Sequence, residues 1–135
     1  MHEEPYTQAM LDIALQSAGG QRIVEIRLAV GRFSAIVPAS VAVFFDYLSR
    51  GTPAEGARLV FETVPVALTC SDCGQTTVLD IPSDVPVRPA LGVALGRGCP
   101  CGGKALKVTG GLGFDLIRLT VDEGGVIAID DNAVE

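Results

Sequence analysis

The sequence is poor in positive charge and has a single histidine, at position 2. Its 135 residues contain 10 Lys and Arg against 16 Asp and Glu, which gives a formal net charge of −6. No stripe of basic residues with interleaved aromatic residues occurs, and an acidic surface repels a phosphate backbone. We therefore expect no nucleic-acid partner.

Long apolar runs are also missing. No stretch approaches the roughly 20 apolar residues that a membrane-spanning helix needs. Glu3 and Glu4 stand where a secretory signal would carry bases. We therefore expect a cytoplasmic protein without membrane association. In such a reducing compartment, four cysteines at short spacing indicate a metal site before a disulfide.

The composition is that of a globular protein. Hydrophobic residues make up 48% of the chain and charged residues 19%, which disfavours wholesale disorder. Periodicity predicts two helices, over 5–18 and from Pro38 to near Gly51. The predicted inner face of the first helix consists of Tyr6, Met10, Ile13, Ala14 and Ser17.

Three strands are predicted around these helices. Alternation predicts one strand whose buried side consists of Val24, Ile26, Leu28 and Val30, ending or bulging at Gly31. Branched and aromatic residues predict two more, over 58–66 and 112–121. A short apolar run after position 125 is either an edge strand or a loose tail.

The segment 67–108 has a different character. It carries all four cysteines and four prolines but few large apolar side chains, so its own core would be thin and a metal would have to hold it. The expected architecture is an α/β (α+β) fold, in which residues 1–66 and 109–135 form a small sheet of about three strands with two helices. A zinc-ribbon-like lobe is inserted at 67–108. Residues 81–98 and the acidic tail receive no assignment.

The cysteines form two close pairs. Cys70 and Cys73 have the two-residue gap that lets both thiolates of a tight turn reach one tetrahedral ion. Cys99 and Cys101 are separated by Pro100 alone, and such a pair converges only where the backbone kinks. Zinc is the leading metal, and four thiolates would close its coordination against a substrate water. A redox pair, an iron site, a remnant that holds metal poorly or four unrelated thiols stay open as alternatives.

His2 lies one peptide bond from the α-amine. An α-amine, the amide nitrogen of residue 2 and the imidazole Nδ1 are joined through short chelate rings and can lie in one plane, as Ni(II) or Cu(II) prefers. A helix beginning at Pro5 would present this chelate at a fixed terminus. The alternative is a solvated histidine with no ligand role, with Glu3 and Glu4 favouring the helix dipole.

Several dispersed stretches together resemble the HypA/HybF family, in the family's order and over residues 1 to about 121. These stretches are Met1–Glu3, Tyr6–Met10, Val30–Ser34, Leu48–Ser49 and Gly51–Ala57. The cysteine pairs fall where that family places its zinc lobe. Members of the family are nickel metallochaperones for maturation of [NiFe]-hydrogenases and, in some organisms, of urease.

The resemblance implies the cargo, the partners and the nickel ligands. Ni(II) would be held by His2 and by the backbone nitrogens of His2 and Glu3, with the amine of Met1 as a further candidate. Structural Zn(II) would be held by Cys70, Cys73, Cys99 and Cys101. The implied partners are a HypB-like nickel-handling GTPase and a hydrogenase large-subunit precursor, with the chain as a monomer or homodimer.

Two features depart from the family pattern. Members usually have a full C-x-x-C as the second pair, often flanked by histidine, whereas this chain has C-P-C and no second histidine. A nickel geometry that recruits a histidine from the zinc lobe is therefore excluded.

The sequence predicts no enzyme. It contains no nucleophile beside a base, no catalytic carboxylate pair in a motif and no phosphate-binding glycine loop. Two alternatives to a nickel chaperone remain: a zinc-ribbon interaction or regulatory module, and a thiol redox protein. The latter would use Cys70 and Cys73, which would then belong at the start of a helix.

Overall fold

The computed structural model describes residues 3–129, which form two compact units. The first, here the α/β unit, comprises residues 3–30, 36–62 and 113–129. The second, the cysteine unit, comprises residues 31–35 and 63–112. The chain thus passes between the units at four places. The predicted inserted lobe, 67–108, lies within the residues of the cysteine unit.

The described residues contain three helices and two sheets. In chain order the elements are α1 (Glu3–Ala18), β1 (Ile23–Gly31), α2 (Pro38–Leu48), β2 (Arg58–Val64), β3 (Val66–Cys70), β4 (Thr76–Leu79), α3 (Val87–Arg97), β5 (Leu106–Gly110), β6 (Phe114–Val121) and β7 (Val126–Ala128). One sheet has the order β2-β1-β6-β7 and the other β4-β3-β5. The predicted mixed fold with a separate cysteine lobe is confirmed. Its first sheet gains a fourth strand because β7 pairs with β6 at the edge.

Helix α1 confirms the first predicted helix, which begins earlier than expected. Met10 and Ala14 are buried as predicted, but Ser17 is exposed and Leu11 and Ala18 are buried in its place. The predicted inner face was wrong at this point because α1 contacts both α2 and β6. A helix that packs against two elements buries more of its circumference than a single apolar stripe covers.

A β-bulge in β1 reverses the predicted direction of Val24. Ile23 pairs with Val121 and Glu25 with Thr120, so Val24 is an extra residue on β1. Ile23 is buried, whereas Val24 is 41% exposed. The prediction that Val24 faces the core is wrong because a bulge shifts the alternation of a strand by one position.

The α/β unit has a full hydrophobic core. The largest fully buried apolar side chains of this core come from α1, α2, β1 and β6: Met10, Leu11, Ile23, Ile26, Leu28, Val41, Phe114, Leu116 and Leu119. Burial of each such side chain contributes about 1.5–3 kcal/mol. This unit therefore has the means to fold without a metal.

Strand β2 runs beside β1 in the same direction. In three contacts along and just beyond the two strands, the residue numbers increase together, as parallel strands require. The contacts join Glu25 to Arg58, Arg27 to Glu62, and the N–H of Arg32 to the Val64 carbonyl. Helix α2 makes the crossover that a parallel pair requires. The predicted strand 58–66 is interrupted at Pro65, which lacks the N–H that a continuous strand needs.

The ion pair between Arg58 and Glu25 makes the stability of the α/β unit sensitive to acid. Arg58 lowers the pKa of Glu25 below its ordinary value of 4.5. The contribution of the ionised carboxylate is therefore present above that value and is lost as the pH falls through the lowered pKa.

We expect Glu25→Gln to shrink the difference in unfolding free energy between neutral and acidic pH, measured by urea denaturation followed by circular dichroism. Arg58→Gln should act in the same direction but less strongly, because Arg27 remains 3.6 Å from the Glu25 carboxylate. An acid sensitivity as large as that of the parent chain in both variants would contradict this account.

The cysteine unit has a thin core, as its composition predicts. Its buried apolar cluster consists of Val66 and Leu68 from β3 and Leu91 from α3. The segment 81–98, which the sequence left unassigned, contains α3.

No helix within residues 3–129 is long and apolar enough to cross a bilayer.

Residues 31–35 belong to the cysteine unit although they are distant from it in sequence. The N–H of Arg32 donates to Val64 O at 2.9 Å, and the N–H of Phe33 donates to Gly111 O at 2.8 Å. A Cβ placed on Gly31 would lie 2.1 Å from Gly111 O. Only glycine fits at position 31, because the two backbones touch there.

Candidate metal centre

The first cysteine loop joins β3 to β4. Cys70 ends β3, and the N–H of Gly74 donates back to Cys70 O at 2.8 Å. Gly74 has φ +77°, a left-handed conformation that favours glycine. The Cys70 N–H donates to Gln75 O at 3.0 Å and closes the loop. The C-x-x-C stretch thus forms the tight turn that its spacing predicts.

The second cysteine loop follows α3. The N–H of Gly102 donates to Cys99 O at 2.9 Å, and the N–H of Cys99 donates to Gly103 O at the same distance. Gly102 has φ +94°. Pro100 and this glycine therefore produce the kink that a C-x-C pair needs in order to converge.

The two loops bring all four thiols together. Cys70 Sγ lies 3.7 Å from Cys101 Sγ, and Cys73 Sγ lies 3.6 Å from Cys99 Sγ. All four sulfurs lie within 4.8 Å of one another. A tetrahedral zinc site with Zn–S bonds of about 2.3 Å has sulfurs about 3.8 Å apart. The donor set and its size fit a zinc ion held by four thiolates.

The four thiols lie so close together that the pKa values of Cys70 and Cys101 differ from one another. The Cys73 N–H donates to the Cys70 sulfur and lowers the pKa of Cys70 to about 7. The N–H of Gly103, 3.4 Å from Cys101 Sγ, favours the Cys101 thiolate, but the neighbouring thiols outweigh it and raise the pKa of Cys101 to about 12. A bound cation would favour deprotonation of all four thiols.

Asp72 and Gly103 bring the two loops into contact. A Cβ on Gly103 would lie 2.3 Å from Asp72 Oδ2 and 3.1 Å from Asp72 Cβ. The side chain of Asp72 therefore occupies the space that any other residue at 103 would need.

The position of Cys70 contradicts the thiol redox alternative. A thioredoxin-like pair lies at the start of a helix. Cys70 instead lies at the end of a strand, and β4 follows the loop.

Of the three predicted nickel-site residues, only Glu3 lies within the described residues; Met1 and His2 lie outside them. Glu3 begins α1 and is only 2% exposed. Its Oε2 accepts the N–H of Val37, the residue that caps α2, at 3.1 Å. Sequence reasoning missed this burial, because a glutamate in the first turn of a helix is usually solvated.

Comparison with known proteins gives the family. The family model "Hydrogenase/urease nickel incorporation, metallochaperone, hypA" matches residues 1–121. Hydrogenase maturation factor HypA of Geobacter metallireducens is 36% identical over 123 residues, which cover 90% of this chain and 100% of that protein. The factor of the same name from Thermomicrobium roseum is 33% identical over 131 residues, covering 92% and 100%.

Two solved structures share the fold. The solution structure of the Ni metallochaperone HypA from Helicobacter pylori aligns with a TM-score of 0.62 at 18% identity, over 90% of this chain and 97% of that chain. A second solution structure, of a HypA protein, aligns with a TM-score of 0.66 at 17% identity, over 90% and 96%.

The fold and the thiol cluster define a small α/β protein with a four-cysteine unit whose thiols are placed to hold a metal ion. The family model and the curated relatives cover nearly all of its length. The chain belongs to the HypA family of nickel-incorporation metallochaperones. The resemblance found in the sequence is confirmed, and the chain is a maturation factor of the metallochaperone class and not an enzyme.

Proposed function

We propose that the chain holds Ni(II) at its N-terminus and passes it by ligand exchange to an enzyme precursor. The proposed ligands are the imidazole of His2 and the backbone nitrogens of His2 and Glu3, with the amine of Met1 as a further ligand. Ni(II) prefers nitrogen ligands arranged in one plane around it, and these neighbouring atoms can adopt that arrangement.

The burial of Glu3 carries this proposal. Its carboxylate accepts the Val37 N–H, and its carbonyl accepts the hydroxyl of Thr7 at 2.6 Å. A residue whose amide nitrogen is a proposed ligand is therefore held firmly at the start of α1. A ligand set attached to a fixed residue loses less conformational freedom on binding.

We propose Zn(II) as the resident metal of the cysteine unit, with Cys70, Cys73, Cys99 and Cys101 as its four ligands. Four protein ligands leave no open coordination position, so this zinc would hold structure. It would supply no catalytic water.

We propose a hydrogenase large-subunit precursor as the recipient and a HypB-like GTPase as the nickel-handling partner. The names of the relatives, hydrogenase maturation factors, support the first, and urease stays a second possible recipient through the family description. We also propose a reducing compartment, such as the cytoplasm, as the location of the chain. Four cysteines that form no disulfide with one another support this proposal.

The test is calorimetric titration of Ni(II) into the chain with an unmodified N-terminus and into the same chain extended by an N-terminal tag. We expect about one equivalent of tightly bound Ni(II) in the first and loss of that binding in the second, because an extension converts the amine to an amide. Equal binding in both would exclude the N-terminal site and favour a zinc-ribbon interaction module.

A further inference from the structure

Strand β2 is an edge strand whose outer side pairs with no other strand among residues 3–129. Natural proteins usually block such an edge with charged side chains, proline, a bulge or a very short strand, since its free N–H and C=O groups attract another chain. The seven residues of β2, RLVFETV, contain no proline, and their two charged side chains, Arg58 and Glu62, have opposite signs. These charges oppose pairing only where like charges meet, so the edge is open to a strand that sets opposite charges against them.

The direction of the backbone groups follows from one hydrogen bond. Val64 O accepts the N–H of Arg32, the residue that follows β1, so the polar groups of Val64 point toward the β1 side. Successive residues of a strand point their backbone groups to opposite sides. The groups of Leu59, Phe61 and Thr63 therefore point outward, to the free edge.

We propose that two copies of this chain pair antiparallel through β2, about a two-fold axis at Val60. Leu59 then forms a hydrogen-bonded pair with Phe61 of the partner subunit, using the outward backbone groups of both. Arg58 lies opposite Glu62 of the partner subunit in a non-hydrogen-bonded pair, where side chains approach closely. The two sheets join into one.

Charge selects this register. An axis at Phe61 would oppose Glu62 with a valine, and an axis at Glu62 would bring two carboxylates together. Arg58 and Glu62 are 76% and 48% exposed, and each already binds a residue of β1, Glu25 and Arg27 respectively. With the axis at Val60, the charges alternate across the junction in the order Glu25, Arg58, the partner's Glu62, the partner's Arg27.

The opposite side of β2 adds apolar contact. Leu59 and Phe61 pack against the core of the α/β unit but remain partly exposed. They line a groove of about 350 Å³ together with Ala42 and Phe45 of α2. The pairing of Leu59 with the partner's Phe61 would cover the edge of this groove.

The experiment uses two charge reversals, Arg58→Glu and Glu62→Arg, in the full chain. Each variant alone places like charges opposite each other twice in the symmetric dimer, so we expect its dimerisation to weaken by about tenfold or more in sedimentation velocity. An equimolar mixture restores both opposite-charge pairs. We therefore expect a heterodimer in the mixture at concentrations where each variant alone is monomeric.

Lys107→Glu is the matched control for Arg58→Glu, because it makes the same charge change at an exposed position in the cysteine unit. We expect it to dimerise like the parent chain. Recovery of dimer in the mixture also shows that both variants are folded. A parent chain that stays monomeric at all concentrations, a dimer unaffected by either reversal, or a mixture that fails to associate would each overturn the proposal. No proposed metal ligand takes part, so the result is independent of nickel binding.

Discussion

Removal of the metal from the cysteine unit is expected to unfold that unit and leave the α/β unit folded. Its apolar cluster has three buried side chains, Val66, Leu68 and Leu91, and the other apolar side chains packed against them are only partly buried. Burial of so few apolar side chains does not offset the conformational entropy lost when the whole unit becomes ordered. In small metal-binding domains, binding of a structural zinc supplies the missing folding free energy. The metal should therefore decide whether the unit folds.

The measurement is a two-dimensional amide NMR spectrum of the full chain with its metal and after chelation. We expect the resonances of residues 63–112 to collapse toward unfolded positions, while the α/β unit keeps its dispersed signals. Cys70→Ser should act like chelation, because it removes a buried ligand, and zinc analysis should show the loss of about one ion per chain.

Ser71→Ala is the control for the cysteine variant. Ser71 is exposed in the same loop, and its backbone N–H, which donates to Ala105 O at 2.9 Å, survives the change. We expect full zinc content and an unchanged spectrum. A metal-free chain with an intact spectrum over residues 63–112 would show that the apolar cluster suffices.

His2→Ala is expected to lower the affinity for Ni(II) at neutral pH by at least about a hundredfold. Loss of a residue that only orients a metal ligand already lowers metal affinity by up to about a hundredfold, and His2 is itself a proposed ligand. The parent chain should also lose Ni(II) as the pH falls, because the amine and the imidazole must release protons to bind the ion. Calorimetry at neutral and at mildly acidic pH measures both effects.

Glu4→Ala is the matched control for the histidine variant. Glu4 is exposed, lies two residues from His2 and supplies no ligand atom in the proposed site. It should bind Ni(II) like the parent chain. Undiminished binding by His2→Ala would remove the imidazole from the site, and equal losses in both variants would point to a general effect of the N-terminal sequence.

The features that the sequence predicts well are those set by local pattern. Helix α2 follows from Pro38 and the spacing of its apolar residues, and the first cysteine turn follows from a two-residue gap. The kink at Pro100 could also be anticipated, because convergence of Cys99 with Cys101 requires it.

The missed features depend on partners distant in the chain. Helix α3 contains Pro89, Gly92 and Gly96, which are poor helix formers, so no local signal marks it. The outward turn of Val24 is set by its pairing with β6, and the burial of Glu3 by the backbone of Val37. No periodicity within one element carries such information.

The short segment 31–35 limits how this protein can be recombined with its relatives. A chimera that exchanges residues 63–112 as a single cassette would leave the original 31–35 behind. Phe33, which packs against the apolar cluster of the cysteine unit, and Gly31, which touches Gly111, would then face a foreign surface. A successful graft has to transplant both pieces together, because the cysteine unit is built from two stretches of sequence that are distant in the chain.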